Sequence, residues 1–470
     1  MNKVAHLMAN FFPFFKRIKI GVNKRKTIHE LSFCFCLCLL FFQCTKTPTV
    51  EITEQNIATK WAEMTLHVTQ YTPANSPTFA SRCLGYIGLT MYESIVHGYE
   101  DYNSLVGQLN ELEKLPLPEP DVKYNWQLAL NAGQAEILRS IYIQTADSNK
   151  VKIDSLENLL LNSMAIKIGD EMVIERSVAY GKSIAQSIFE WSKTDGGHRG
   201  YLKNFDKEMV HPDFPGSWKP PLFAQSFSHH PLHPHWGKNR TFVAKNAAIP
   251  NPEIIRYDTA KTSAYYQEFL AVYEKDLSLT QAEKEAALWW GDDPDDTFTP
   301  PGHSYYIATI GIKTKNPSLI KCAETYARTG MGVADAFIKC WKWKYDFFSE
   351  RPNTFIPKFI DVEWESFWPD PPFPAFPSGH AIQAATAATI MIDLYGNDFS
   401  FVDSAHVDRE RDEVREVDFV ARPFDSFWKV AEETADSRFY GGIHTPQDNV
   451  VGLEEGQKIA NHLNELNWKK

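Results

Sequence analysis

Three short stretches hold the residue types that could do chemistry together. The first is Lys344-Tyr345-Asp346-Phe347-Phe348-Ser349-Glu350-Arg351-Pro352. The second is Phe373-Pro374-Ala375-Phe376-Pro377-Ser378-Gly379-His380-Ala381. The third runs from Ser437 to Asp448 and contains Arg438, the pair Gly441-Gly442, His444 and Thr445-Pro446. Between them they offer three cations, two imidazoles and a Ser-Gly turn, a combination suited to a tetrahedral oxyanion. Arginine presents planar forked donors to such oxygens, and lysine a point charge. Ser378 is a good helix N-cap and follows prolines that bias the chain to extended geometry. Gly379 and His380 then fall on a first helical turn, where free N–H groups and the helix dipole favour negative charge. Gly379 lets an anion approach the backbone closely. His380 can donate to that anion or move a proton.

The elements that must position these groups are helices. Lys344 and Arg351 are seven apart, which predicts a shared face of one helix ended by Pro352. A helical run from about Phe424 stops at the glycine pair. Thr445 then reads as an N-cap with Pro446 at the first helical position. This leaves His444 on a short turn between two helices.

The pattern Lys-x6-Arg-Pro, Pro-Ser-Gly-His, Ser-Arg-x5-His-x3-Asp is filled at every position and in order. It resembles the superfamily of vanadium-dependent haloperoxidases and type 2 phosphatidic acid phosphatases. Pro-Ser-Gly-His alone would be a weak signal; three spaced blocks are a strong one. The resemblance implies an all-α fold of two packed four-helix bundles with long Pro-rich loops and the site in the second bundle. It implies that His444 bonds the central atom of the anion and that His380 is the acid–base group on the opposite side. Lys344, Arg351, Ser378, Gly379 and Arg438 would bind the oxygens, and vanadate is the expected cofactor, with phosphate able to take the same place. Asp448, four residues after His444, would accept from the other ring nitrogen and set the tautomer.

Two chemistries fit that constellation: halide oxidation by hydrogen peroxide, and hydrolysis of a phosphate ester through a phosphohistidine. Three features favour the first. Phe373 is similar to the chloride-oxidising branch, where bromide-preferring members often carry His. Trp341, three before Lys344, has a counterpart there, and with Phe373 it forms a candidate halide pocket. The chain after its N-terminal segment has no second run of 18 apolar residues, whereas lipid phosphatases of the superfamily span the membrane several times. A module that only bound an anion would not need the His380–His444 pair. Asp293, or Asp292, resembles the acid that pairs with an anion-site arginine in the haloperoxidase branch. It is expected to brace Arg438, with a solvated acidic loop as the alternative.

The formal net charge of −11 argues against a nucleic-acid surface, so phosphate-type ligands require a local basic cluster. Residues 1–44 read as a separate segment. A basic stretch precedes the apolar run Leu31–Phe42 and then Cys44, which predicts export and membrane anchoring through lipidated Cys44, in the periplasm or cell envelope. Residues 45–250 are expected as an N-terminal helical region with a long loop over 196–252, and 251–470 as the C-terminal domain carrying the site. Cys83, Cys322 and Cys340 are expected as buried thiols. His211, His229, His230, His233 and His235 lie between prolines and are expected to pack in the loop rather than hold a metal, and His303 is expected to be structural. The charged stretch Asp403–Asp418 reads as a surface insertion.

Overall fold

A computed structural model describes residues 54–221, 230–294 and 296–470. The signal-like segment with Cys44, and His229, lie outside the described residues. The chain is all-α. Its helices are α1 (Glu54–Gln70), α2 (Pro77–Glu93), α3 (Trp126–Ile141), α4 (Asp147–Ile168), α5 (Glu171–Ser192), the one-turn α6 (Ala244–Ala247), α7 (Ala264–Asp276), α8 (Gln281–Trp289), α9 (Thr299–Lys315), α10 (Leu319–Phe347), α11 (Pro352–Phe359), α12 (Gly379–Tyr395), α13 (Phe427–Tyr440) and α14 (Pro446–Asn464). A short antiparallel ribbon, β1 (Phe401–Asp403) and β2 (Arg422–Phe424), interrupts them.

The helix starts are set by local chemistry. Ser76, Asn125, Asp170, Ser263, Ser378 and Ser426 each cap a helix by accepting a backbone N–H. Thr280 and Thr445 form reciprocal capping boxes with Glu283 and Asp448.

Helices α1, α2, α3 and α5 pack together, as do α10, α12, α13 and α14, and α10 is common to both groups through its long contact with α2. One apolar core runs through them, from Ile57 and Trp61 to Leu463 and Trp468. Helix α10 is 29 residues, about 44 Å at 1.5 Å per residue, and carries Trp341 and Lys344 to its far end. Its crossing with α2 depends on Gly88 and Gly330: a Cβ at Gly88 would meet the Tyr326 carbonyl, and one at Gly330 the Leu84 carbonyl. The same device brings α14 onto α12, where a Cβ at Gly452 would lie 3.0 Å from the Ser378 carbonyl and one at Gly456 would strike that of Ile382. Those two glycines, one turn apart, let the His444 end of α14 approach the His380 end of α12.

The structure corrects the expectation for Lys344 and Arg351. Helix α10 ends at Phe347, and Phe348 is left-handed at φ 51°. Arg351 is the N-cap of α11, with Pro352 at its first position. Proline there opens a helix, because the N–H it lacks would have no intrahelical partner. The two cations therefore reach the site from either side of a tight reversal and not from one helical face.

The loop after α5 is extended, as expected, and pins itself to the site. Trp218 N–H donates to the Phe348 carbonyl at 2.7 Å and Leu232 N–H to that of Pro372 at 2.9 Å. The Leu232 carbonyl accepts from Trp341 Nε1 at 3.1 Å and Tyr345 OH at 2.7 Å. Among the described histidines of this loop, His211 stacks on Trp218, His233 bonds Thr78 and the Gly200 carbonyl, and His235 bonds Asp206. They go to separate partners. Cys83, Cys322 and Cys340 are free and buried. Among the described residues, no helix is long and apolar enough to cross a membrane.

Candidate active site

A cavity of about 270 Å³ opens where the three stretches meet. Gly379, His380, Ile443 and His444 line it on one side, and Trp341, Phe373, Phe337 and Leu232 form an apolar wall. Lys344, Arg351, Arg438 and Ser378 lie just behind that lining and are wholly buried.

His444 sits on the turn between α13 and α14. Gly442 is left-handed there at φ 71°, and the pair Gly441-Gly442 packs under Trp368 and Trp364. His444 Nδ1 bonds Asp448 Oδ2 at 2.9 Å, and the same oxygen accepts the Thr445 N–H at 3.1 Å. The carboxylate is thus a cap and a tautomer lock at once, and the other ring nitrogen, Nε2, is left for the cavity. The Asp448 carbonyl accepts the Ser378 N–H at 3.0 Å, which ties this turn to the Pro-Ser-Gly-His turn. On α12, His380 Nε2 lies 3.4 Å from Arg438 Nη1, and its ring also bonds the backbone of Gly291.

The cations are held by carbonyls. Lys344 Nζ donates to Pro374, Ala375 and Pro377 at 3.0, 2.6 and 2.7 Å. Arg351 donates to Phe373, Ile443 and Pro374. Arg438 donates to Trp290 at 2.8 Å and Ala287 at 3.4 Å, while its Nε is buried without an acceptor. Among the described residues, none of the three forms an ion pair within 4.0 Å. Buried charge without a counter-ion is costly, and an oxyanion in the cavity would offset that cost. Each guanidinium has spent three of its five N–H donors and keeps two for such a ligand.

Electrostatics follows from the same burial. Burial pulls Lys344 down to about 7 and Arg438 to about 10. Burial, then Arg438, depresses His380 well below the ordinary imidazole value; burial, then Arg351, Lys344 and Arg438, does the same for His444. Both rings are therefore neutral at pH 7. Burial pushes Asp448 up to about 6.

A pH dependence follows. In the anion-free protein Lys344 loses its charge as pH rises through about 7, so the site becomes a weaker anion trap. Sulfate, whose own charge is constant there, is expected to bind up to about tenfold more weakly per pH unit above that point. Binding should also take up a proton, which calorimetry in buffers of different ionisation heat detects. Affinity flat from about pH 6 to about 9 would mean that Lys344 keeps its proton throughout.

The acidic loop departs from expectation. Asp292 does not brace Arg438 but bonds His303 Nδ1 and His406 Nε2, each at 2.8 Å. Asp293 lines the cavity without an ion pair to Arg438, and burial pushes it up to about 7 despite that guanidinium. The stretch Asp403–Asp418 is not merely a surface insertion: Asp403, His406 and Val417 are buried, and Arg415 lies over the Trp368 ring at 4.9 Å.

A family profile described as the VCPO second helical-bundle domain matches residues 324–468. No curated protein sequence matches. Among solved structures, the first bacterial vanadium-dependent iodoperoxidase is 28% identical with a TM-score of 0.75, over 89% of this chain and 97% of that one. A bacterial vanadium-dependent chloroperoxidase shares the fold in its holo form at 14% identity and TM-score 0.61, over 89% and 94% of the two chains. Its apo form does so at 15% and 0.60, over 89% and 95%. By its three motifs, its helical architecture and these likenesses, the chain belongs to the superfamily of vanadium-dependent haloperoxidases and type 2 phosphatidic acid phosphatases.

Proposed function

We propose that this protein is a vanadium-dependent haloperoxidase that oxidises a halide with hydrogen peroxide, X⁻ + H₂O₂ + H⁺ → HOX + H₂O. The observation that carries the reading is the meeting of two neutral imidazoles, three buried cations without ion-paired carboxylates, and the Trp341–Phe373 wall around one cavity. Vanadate, when bound, supplies Lewis acidity toward peroxide. His444 would hold it through Nε2, with Asp448 keeping the proton on Nδ1. Arg351 and Arg438 would offer their remaining N–H groups to its oxygens, and Lys344 would add charge. Ser378 and the Gly379 N–H are the neutral donors of the helix start.

His380 is the proton carrier. Its Nε2 lone pair accepts from Arg438 in the resting geometry and can instead take a proton from incoming peroxide, then return it to the departing water. Trp341 and Phe373, rings 4.9 Å apart, leave an apolar face beside the anion where a weakly hydrated halide meets little competing water. The likeness to an iodoperoxidase makes iodide the first halide to try. Export and anchoring through Cys44 belong to the same proposal, and would place the activity at the cell envelope.

The test is reconstitution. Metal-free protein incubated with orthovanadate should gain iodide- or bromide-dependent oxidation of a phenolic reporter by peroxide, and phosphate should suppress the gain by competing for the anion site. No gain with any halide, together with vanadate-sensitive hydrolysis of p-nitrophenyl phosphate, would replace the haloperoxidase reading with a phosphatase.

A further inference from the structure

We propose that Asp292, His303, Asp403 and His406 form a buried positioning network that holds His380 and Arg438 through the backbone of residues 290 and 291. The inference rests on the reading of His380 and Arg438 as site residues, and adds to it four side chains that touch neither anion nor substrate.

Residues 289–292 face two ways. The Trp290 carbonyl accepts Arg438 Nη1 at 2.8 Å, and the Gly291 backbone bonds the His380 ring. The side chains on either side turn to the network: Trp289 Nε1 donates to Asp403 Oδ2 at 2.7 Å, and Asp292 takes both histidines. Asp292 is left-handed at φ 48°, a conformation that a non-glycine residue adopts at a cost. Two imidazoles on its carboxylate supply the restraint. His303 in turn bonds Asp403 Oδ2 through Nε2 at 2.8 Å and stacks on Trp290 with ring centres 4.4 Å apart. Asp292, His303, Asp403 and His406 are at most 3% exposed.

The proton count follows from geometry. Both ring nitrogens of His303 face carboxylate oxygens, and a lone pair there would be repelled, so both carry hydrogen and the ring is a cation between two anions. The titratable groups facing it are Asp292, Asp403 at the end of β1, His406 with its ring 5.0 Å away, and Tyr306 on its own helix at 6.2 Å. Burial opposes the charge, but Asp292 and Asp403 override it and raise His303 to about 10. Asp292, His303 and His406 are also a set that could gather a metal ion. The matched donor–acceptor pairs already account for their arrangement.

Three measurements test the network. In ¹⁵N spectra of histidine-labelled protein, assigned with His303→Gln, His303 should keep both ring protons from about pH 7 to about 9. A neutral His303 at pH 7 would overturn the proposal, as would one equivalent of zinc or another metal in the purified protein. The third uses Asp403→Asn, which retains an acceptor for Trp289 and His303 but removes a charge, so the imidazolium should titrate near neutrality. Relative to wild type, sulfate affinity and, after reconstitution, turnover should fall by about 10–100-fold as pH rises through that lowered value, with little loss at the acid end. A variant-to-wild-type ratio constant with pH, with only a lower Tm, would make the network merely structural and overturn the proposal. The sulfate and NMR readings do not need peroxidase activity, so they decide the matter even if reconstitution fails, and the wild-type spectrum decides it if Asp403→Asn does not fold.

Discussion

His444→Ala protein is expected to lose vanadate-dependent halide oxidation by roughly 10³-fold or more, beyond the 10–100-fold that removal of an outer partner of a metal ligand costs. His444 has one ring nitrogen committed to Asp448 at 2.9 Å and borders the cavity. Its neighbours in the turn, Ile443 and Thr445, carry no imidazole to substitute. The three cations remain in the variant, so sulfate should bind within a few-fold of wild type while vanadate loses its coordinate bond. Asp448→Asn is the graded comparison: it keeps the ring but weakens the tautomer lock, and should fall in the 10–100-fold range. Vanadate titration of turnover, with sulfate calorimetry alongside, separates the two. Wild-type turnover from His444→Ala would remove this ring from the mechanism.

The second large effect is on proton transfer. His380→Ala should retain vanadate binding and lose about 10²–10⁴-fold in kcat, the usual worth of a placed acid–base group. The pH profile carries the finer signature. His380 is held neutral by burial and Arg438, its folded value lying well below 6.5. As pH falls through that value the ring gains a proton and loses its lone pair, so wild-type turnover at saturating vanadate should drop on the acid side. That acid limb should vanish in His380→Ala, leaving a low, flatter profile. Equal kcat in variant and wild type would pass the proton role to another group.

How much of this was legible beforehand depends on range. The Ser378 and Thr445 caps, the His444–Asp448 pair and the glycine stop after α13 are local, each decided within a few residues, and they read correctly. The end of α10 did not, because Pro352 suits a helix start as well as the residue after a helix, and nothing local reports the left-handed Phe348. Asp292 was harder still. Its partners His303 and His406 are 11 and 114 positions away, and Asp403 joins through His303 across 100 more. Asp403–Asp418 looked solvent-facing because dense charge usually is. Asp403 and His406 are buried in it because His303 and Asp292 lie there to pair with them.

Lys344 has a further consequence. All three of its ammonium hydrogens are spent on the Pro374, Ala375 and Pro377 carbonyls. What reaches the cavity from it is a field without a direction. Such an attraction cannot tell one tetrahedral oxyanion from another by bond angle, so angular discrimination falls to the forked N–H donors of Arg351 and Arg438 and to the free nitrogen of His444. One oxyanion could then replace another without breaking any hydrogen bond of the Lys344 ammonium.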